Sequence, residues 1–304
     1  MPPENNHPYF RFIRLKWLYF AISLVVILPG VYSLIRFRLK LSIDFTGGTL
    51  LEIQTKNSVN HDQFKALAQG LKLDLSQVQD SGNNTYLLRL KPMSPEENDQ
   101  LKIKLKDQFP GAEEKRFENV GPVVGAELAK KSILAVIVAS LAIIAYIAWS
   151  FRGIPKPYSS WKFGASAVIA LLHDAFLILG LFSLFGHLFG VEIDVLFVTA
   201  LLTVIGFSVH DTIVVFDRVR ENLTKLHQSS FEQVVDFSLT ETLVRSLNTS
   251  LTVTLTLTAL LLFGGETIRW FVVALLIGII SGTYSSIFNA SPILVLWESK
   301  RLKK

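Results

Sequence analysis

Six long apolar segments constrain this chain more than any other feature of its sequence. A helix needs about 20 predominantly apolar residues to cross the hydrocarbon of a bilayer. Half of the 304 residues are hydrophobic and the mean hydropathy is +0.41, which is too apolar for a soluble chain of this length. We therefore predict an α-helical integral membrane protein with six transmembrane helices, approximately at residues 17–34, 133–149, 163–188, 193–216, 239–263 and 270–296.

Two of the six segments leave an alternative open. Arg11, Arg14 and Lys16 precede the first segment as they would a signal peptide, but no small-x-small cleavage site follows Pro29, which favours an uncleaved anchor. The fifth alternates Thr with Val and Leu over residues 252–258, a strand period. Its length and helical neighbours favour a helix, because an isolated strand leaves backbone groups unpaired in lipid.

Basic residues in the short loops predict the orientation of the chain. Both the loop between spans two and three and the loop between spans four and five are basic, which places these loops and both termini in the cytoplasm. The cluster of Arg36, Arg38 and Lys40 on the outer side of span one opposes this orientation. The positive-inside rule is statistical, and the basic residues of the other loops outweigh the cluster. Basic residues beside apolar runs set orientation, and we expect no nucleic-acid partner. The loop residues are Arg152, Lys156, Lys162, Arg218, Arg220 and Lys225.

The polar segment between the first two spans predicts a separate extracytoplasmic domain. Asn60 and Ser94 have the spacing of helix-capping residues, and the turn-rich residues 81–84 separate two short strands. With a strand after Gly48 and another over 113–120, the order is β-α-β-β-α-β, a ferredoxin-like α+β fold. This superfold implies no function. The predicted organisation is 1–36 for the N-terminus and span one, 37–130 for the inserted domain, 131–299 for spans two to six, and 300–304 for a basic cytoplasmic tail.

Three charged residues lie within the predicted spans: Asp174, Asp211 and Arg245. Intramembrane charges are costly and are usually functional. Asp211 and Arg245 lie equally far from the outer ends of their spans, and Asp174 lies about 6 Å further out. One interpretation is a structural ion pair between Asp211 and Arg245. The other is a carboxylate whose protonation makes or breaks that pair, which would give a proton path through these three residues.

Polar neighbours extend this hypothesis. Arg245, Thr249, Thr252 and Thr256 have the spacing of one helical face, so the threonines either line a hydrated path or hydrogen-bond to neighbouring helices. His173 and His210 directly precede the two aspartates and either relay protons or hydrogen-bond within the bundle. The interpretations remain open for each set.

The sequence favours no enzymatic chemistry. It contains no cysteine, no phosphate-binding loop and no G-x-S-x-G or H-E-x-x-H motif. We expect no catalytic residue, metal or cofactor. Any work would then draw on a partner or on the membrane potential, where one charge moved across about 100 mV yields about 2.3 kcal/mol.

Several motifs, in order along nearly the whole chain, resemble the SecF branch of the SecD/SecF protein-export family, a relative of the resistance-nodulation-division transporters. They are DFTGG at 44–48, VGP at 120–122, VGAEL at 124–128, LHD at 172–174, SVHDTIVVFDRVREN at 208–222, RSLNTS at 245–250 and GTYSS at 282–286.

The resemblance implies a subunit that pairs with SecD and uses proton flow to help preproteins cross the membrane. Asp211 and Arg245 match the proton-path residues of the family, and Asp174 lies in a family motif. Other implied partners are the SecYEG channel, SecA, YajC, unfolded preprotein and the lipid bilayer. SecD would supply the second half of the bundle with its own acidic residue. The implied location is the bacterial cytoplasmic membrane, with a thylakoid membrane as the alternative.

Four glycines stand where the inserted domain joins spans one and two: Gly47, Gly48, Gly121 and Gly125. Glycine's backbone freedom suits hinges, and tight packing or turns are the alternative. Two rival functions also remain open, namely a small-solute or lipid exporter of the same superfamily and a passive scaffold for the translocon.

Overall fold

The computed structural model describes residues 9–226 and 228–302, of which the side chains of residues 266 and 299–302 are not described. The chain divides into two compact units, residues 1–40 with 135–304 and residues 41–134. The last two residues of the predicted basic tail, Lys303 and Lys304, lie outside the described residues.

Six helical segments of the described chain are long and apolar enough to cross a membrane, which confirms the predicted class. They are Phe12–Phe37, Pro122–Ser150, Ser160–Phe189, Val195–Lys225, Phe231–Phe263 and Arg269–Glu298. The first contains a 3₁₀ turn, Phe12–Leu15, and α1 (Lys16–Phe37); the next four are α5 (Pro122–Ser150), α6 (Ser160–Phe189), α7 (Val195–Lys225) and α8 (Phe231–Phe263); the last comprises α9 (Arg269–Ser285), a π-helical segment (Ser286–Ala290) and α10 (Ser291–Leu302).

The helices extend beyond the predicted spans, as α8 shows. This segment is helical throughout, so the strand alternative is wrong, and it begins at Phe231 rather than near residue 239. Ser230 and Gln233 form a reciprocal capping box that starts the helix eight residues before the apolar run. The first residues of α8 include polar side chains, so a prediction based on apolar length missed the start of this helix.

The inserted unit has the predicted βαββαβ order. Its helices are α3 (His61–Gly70) and α4 (Pro95–Gln108), preceded by a short α2 (Ile43–Thr46) that the sequence did not predict; its strands are β1 (Gly48–Gln54), β2 (Leu75–Asp80), β3 (Thr85–Leu90) and β4 (Glu113–Val120). The antiparallel sheet has the order β2-β3-β1-β4, and Gly48 is paired with Val120. The chain therefore enters and leaves the sheet at adjacent points.

Alternation along the strands supplies the core of this unit. Leu51, Ile53, Leu88 and Leu90 point to one face of the sheet and pack with apolar residues of α3 and α4. The buried Tyr86 hydroxyl accepts a hydrogen bond from the Val59 amide at 2.8 Å. Asn60 and Ser94 cap the two helices as predicted, each in a complete capping box.

Close glycine contacts set the packing of α1 on α6 and of α7 on α9. A Cβ atom at Gly180 would lie 2.6 Å from the Gly30 Cα, and one at Gly282 would lie 3.0 Å from the Ser208 Cβ. Such small residues let helix backbones approach within a membrane, where apolar side chains gain little by leaving lipid. On α9, this approach brings hydroxyl groups against α7.

The π-helical segment widens the last span ahead of Pro292. Proline has no N–H to donate to Phe288, and in a regular α-helix its ring would collide with that carbonyl group. The wider turn relieves this conflict, and π segments of this kind occur often at functional sites. Within it, Asn289 exchanges hydrogen bonds of 2.9–3.0 Å with Ser23 of α1.

Replacing Gly180 with alanine should destabilise the membrane unit. The added methyl group would meet the backbone of α1, which cannot move aside as a side chain can, so we expect a loss of about 1–3 kcal/mol. Gly206→Ala is the matched control, because no atom lies within 4 Å of its Cβ position and alanine favours a helix by up to about 1 kcal/mol. Thermal unfolding in detergent measures both, and equal midpoints for the two variants would contradict the packing.

Candidate functional site

Asp174 on α6 is a buried carboxylate that accepts hydrogen bonds from two neighbouring helices. Ser208 on α7 and Ser285 on α9 each donate to Oδ2 at 2.5 Å, and Ser281 donates to Oδ1 at 2.6 Å. Its side chain is 1% exposed. Short hydroxyl-to-carboxylate hydrogen bonds are strong, so Asp174 acts as a clamp that joins α6, α7 and α9.

The sequence places these hydroxyl groups by helical spacing and close approach. Ser281 and Ser285 are four residues apart on α9 and therefore lie on the same face. Gly282 lets that face reach α7 beside Ser208. The clamp thus depends on Ser281, Gly282 and Ser285, which lie within one short stretch of span six.

Asp211 on α7 is also buried, but it has fewer hydrogen bonds. The structure describes one to its carboxylate, from the Thr283 hydroxyl to Oδ2 at 3.1 Å. Thr283 also hydrogen-bonds to Ser250 of α8. Asp211 is therefore linked to α8 through two hydroxyl groups, that of Thr283 on α9 and that of Ser250 on α8.

The two aspartates lie at different depths. Asp174 is level with Ser208, which precedes Asp211 by three residues on α7, an offset of about 4.5 Å towards the start of that helix. The offset has the direction that the sequence predicts, and it is somewhat smaller than the expected value of about 6 Å.

Arg245 does not pair with Asp211, contrary to the ion pair considered from the sequence. Its side chain is exposed, and among the described residues no carboxylate oxygen lies within 4.0 Å of it. Asp211 is level with Ser250 of α8 through Thr283, and Arg245 lies five residues earlier, about 7.5 Å along the helix axis. The equal depth expected from the predicted span ends is therefore wrong, and Arg245 also occupies an exposed face of α8.

The threonines that follow Arg245 share its exposed face. The hydroxyl groups of Thr249, Thr252 and Thr256 donate to carbonyl oxygens four residues earlier in α8, at 2.7–3.0 Å. Among the described residues, no hydrogen bond joins these side chains to a neighbouring helix. The stripe forms a polar outer face of α8.

The two histidines occupy unlike positions. His173 Nδ1 lies 3.0 Å from Asp174 Oδ1, while its Nε2 is buried without a hydrogen-bond partner in the described part of the chain. His210 is exposed on α7. Only His173 is placed to exchange a proton with the neighbouring aspartate.

Sequence reasoning missed two further buried carboxylates, both near helix ends. Asp236 on α8 accepts a hydrogen bond from the Ile13 amide at 3.0 Å and so caps the 3₁₀ turn at the start of span one. Glu298 on α10 forms a buried ion pair with Lys162 at 3.2 Å. Both lay outside the predicted spans, since they fall where helices extend past the apolar runs. The hydroxyl partners were also missed, although the spacing of Ser281 and Ser285 was a usable signal.

The glycine contacts at the base of the inserted unit favour the packing alternative for two of the four joints. A Cβ atom at Gly125 would lie 2.7 Å from the Gly47 backbone nitrogen, and Gly47 and Gly48 have φ values of +71° and +131°. Gly121, the single residue between β4 and α5, has no atom within 4 Å of its Cβ position. Of the four, Gly121 is the joint with the most space.

No group of three or more histidine or acidic side chains is arranged to hold a metal ion in the described part of the chain. The site consists of carboxylates and hydroxyl groups in a protein interior. Such a set can bind and release protons.

Comparison with known proteins identifies the family. Residues 100–300 match the model of the SecD/SecF protein export membrane protein C-terminal region, and residues 32–59 match that of the SecD/SecF GG motif. The chain belongs to the SecD/SecF family. The first match contains both aspartates and Arg245, and the second contains Gly47 and Gly48.

Two relatives that are separate SecF subunits match this chain over more than nine tenths of their own length. The chain is 50% identical to protein translocase subunit SecF of Thermobaculum terrenum, covering 95% of this chain and 94% of the relative, and 44% identical to that of Anaerolinea thermophila, covering 93% and 92%. A crystal structure of SecDF from Thermus thermophilus, described as a translocon-associated membrane protein, matches with a TM-score of 0.84 at 31% identity over 98% of this chain. The chain spans 40% of that fused protein.

These findings make the chain a multi-pass membrane protein of a family of translocase subunits rather than of catalytic enzymes. Fusion of the two subunits in Thermus thermophilus and in Bacillus subtilis SecDF supports partnership with SecD.

Asp174→Asn should destabilise the protein more than Asp211→Asn does. The first change removes the negative charge from three short hydrogen bonds, and we expect a loss of about 2–4 kcal/mol. The second change weakens one longer hydrogen bond, and we expect it to lower the stability by about 1 kcal/mol or less. Thermal unfolding in detergent measures the difference. A larger loss for Asp211→Asn would show that Asp174 is not the clamp.

Proposed function

We propose that this chain works as the SecF subunit of the Sec machinery and, with SecD, couples proton flow to preprotein translocation and release on the outer side of the membrane. The observation that carries this proposal is the contrast between two buried aspartates. Asp174 is held by three serine hydroxyl groups, whereas Asp211 accepts one hydrogen bond in the described structure. A carboxylate with few donors loses less when it is protonated.

Protonation of Asp211 would act on α8 and α9. An ionised carboxylate accepts a charge-assisted hydrogen bond from Thr283, and a neutral carboxyl group accepts a weaker one. Because Thr283 stays bonded to Ser250, this loss frees α9, together with α8, to shift relative to α7. The hydroxyl groups of Thr283 and Ser250, rather than an ion pair with Arg245, thus connect Asp211 to α8.

SecD is proposed to cover the outer face of α8. Arg245 would be expensive if it faced lipid, at about 2.5–3.5 kcal/mol or more near the bilayer centre. An acidic residue from a helix of SecD would neutralise it and complete the proton path. The fused relatives support this arrangement, because they carry both subunits in one chain.

The outward movement is proposed to pass through Gly121. This residue connects β4 directly to α5, of which 6% is buried in its most apolar stretch, so that helix has few partners within the chain to hold it. SecYEG, SecA and YajC are the further partners proposed, and unfolded preprotein is the cargo. The location proposed is the bacterial cytoplasmic membrane, or a thylakoid membrane, with both termini in the cytoplasm.

Asp211→Asn should abolish the effect of a proton gradient on secretion. Inverted membrane vesicles that contain this chain with SecD and the Sec channel are loaded with a preprotein arrested late in translocation. With the wild-type chain, a gradient should accelerate release into the lumen, whereas asparagine cannot change charge and should give the rate seen without a gradient. Lys65→Gln, an exposed change in the inserted unit, is the control for vesicle preparation. Full stimulation by inserted Asp211→Asn protein would refute the mechanism.

Arg245→Lys should retain part of the stimulation that Arg245→Gln loses. Lysine keeps the charge that a SecD carboxylate would pair with but lacks the planar fork of arginine, whereas glutamine lacks the charge. The same release assay ranks wild type, lysine and glutamine in that order. If lysine and glutamine are equally inactive, geometry rather than charge is decisive, and if glutamine is fully active, no partner acid pairs with Arg245.

A further inference from the structure

The inner face of α8 carries a column of buried hydroxyl groups: Ser238, Thr242, Ser246 and Ser250. These residues recur every fourth position, so consecutive members are neighbours on the helix surface, and the column winds by about 40° at each step. All four are buried, with exposures of 0%, 7%, 3% and 7%. This inner column lies apart from the exposed stripe that Arg245 begins.

Both ends of the column meet groups that exchange protons with their surroundings. At one end, Ser250 bonds to Thr283, which donates to Asp211. At the other end, Ser238 accepts a hydrogen bond of 2.9 Å from the Asn222 amide, which also donates to Glu241 at 2.7 Å.

A cluster of charged groups surrounds the second end. Glu241 of α8 is paired with Arg218 of α7 at 2.6 Å, and Arg218 is paired with Glu221, which also contacts Lys225. This ionic cluster lies at the helix ends proposed to face the cytoplasm. The column therefore runs from a buried carboxylate to a charged, accessible surface.

Ser246 is the member of the column whose hydroxyl group has no described partner. Its hydroxyl oxygen is buried and has no hydrogen-bond partner in the described structure. Buried polar groups are nearly always partnered, and an internal water molecule is the usual partner when protein groups are absent.

The spacing of the column leaves gaps between its hydroxyl groups. Residues four apart rise about 6 Å along the helix. One water molecule with two hydrogen bonds of about 2.8 Å at its tetrahedral angle spans about 4.6 Å, so each gap takes a short chain of about two water molecules. Thr242 and Ser238 donate to carbonyl oxygens of their own helix, at 2.9 and 2.7 Å. Both hydroxyl oxygens can still accept from water, Ser238 through the lone pair that Asn222 does not use.

We infer that Ser238, Thr242, Ser246 and Ser250, with Thr283 and bridging water, form a proton half-channel between Asp211 and the cytoplasmic surface at Glu241. This inference rests on the proposed function and names the inner exit of its proton path. In the transfer, the O–H bond of protonated Asp211 breaks, each hydroxyl group and water gains one proton and passes on another, and a cytoplasmic water becomes hydronium. No electrons are transferred, and the hydroxyl groups are restored by rotation.

Proton flux through the complex with SecD in vesicles tests the channel. Thr242→Val keeps the shape of the side chain but removes the hydroxyl group, and flux should fall about tenfold, equivalent to about 1.4 kcal/mol of barrier. Thr242→Ser should restore at least half of the flux. Thr258→Val is the matched control, because Thr258 also donates within its own helix, at 2.7 Å to Thr254, but lies beyond Ser250, outside the segment between Asp211 and Glu241. Wild-type flux in Thr242→Val, or failure of serine to restore it, overturns the inference.

Cysteine labelling tests the water directly and does not depend on proton coupling. The natural chain has no cysteine, so Ser246→Cys introduces a single thiol. A small water-soluble methanethiosulfonate should label it from the cytoplasmic side. Ser166→Cys is the control, because Ser166 is also buried without a partner but lies outside the column. Equal labelling of the two positions would mean that no water path reaches Ser246.

The two proposals fail separately. If Asp211→Asn abolishes flux while Thr242→Val does not, the proton carrier stands and the half-channel is wrong. If Asp211→Asn conducts normally, the proposed function fails, whatever the labelling at position 246 shows.

Discussion

The hydrogen bonding of Asp174 is the interaction on which the membrane unit depends. A carboxylate cannot stay charged inside a bilayer protein unless donors surround it, and here serines from α7 and α9 provide them. Those serines reach Asp174 only because Gly282 lets α9 approach α7. The same approach places Thr283 on Asp211, so one packing contact organises both aspartates.

Asp174 and Asp211 have different roles because they accept different numbers of hydrogen bonds. Asp174, with three serine donors and His173 beside it, holds three helices together. Asp211 has one described donor, and that donor also contacts α8. A change of charge at Asp211 therefore alters a contact between helices, whereas a change at Asp174 would undo the fold around it.

The fold was largely predictable from the sequence, and the site only in part. Apolar length gave the six spans, and capping boxes at Asn60 and Ser94 gave the inserted helices. Charge within apolar runs identified Asp174 and Asp211. The predicted pairing of Asp211 with Arg245 was wrong, because the ends of apolar runs do not fix the depth of a residue, and packing decides which way its side chain faces. The start of α8 and the carboxylate of Asp236 were missed because polar helix ends resemble loops.

The central claim is that Asp211, and not Asp174, changes protonation during transport. Infrared difference spectroscopy of the complex with SecD, recorded on a change of pH, reports the carboxyl groups that take up protons. The account predicts a carboxyl band that disappears in Asp211→Asn and is unchanged in Ser281→Ala, which alters only the hydrogen bonding of Asp174. A band that persists in Asp211→Asn and shifts in Ser281→Ala would contradict it.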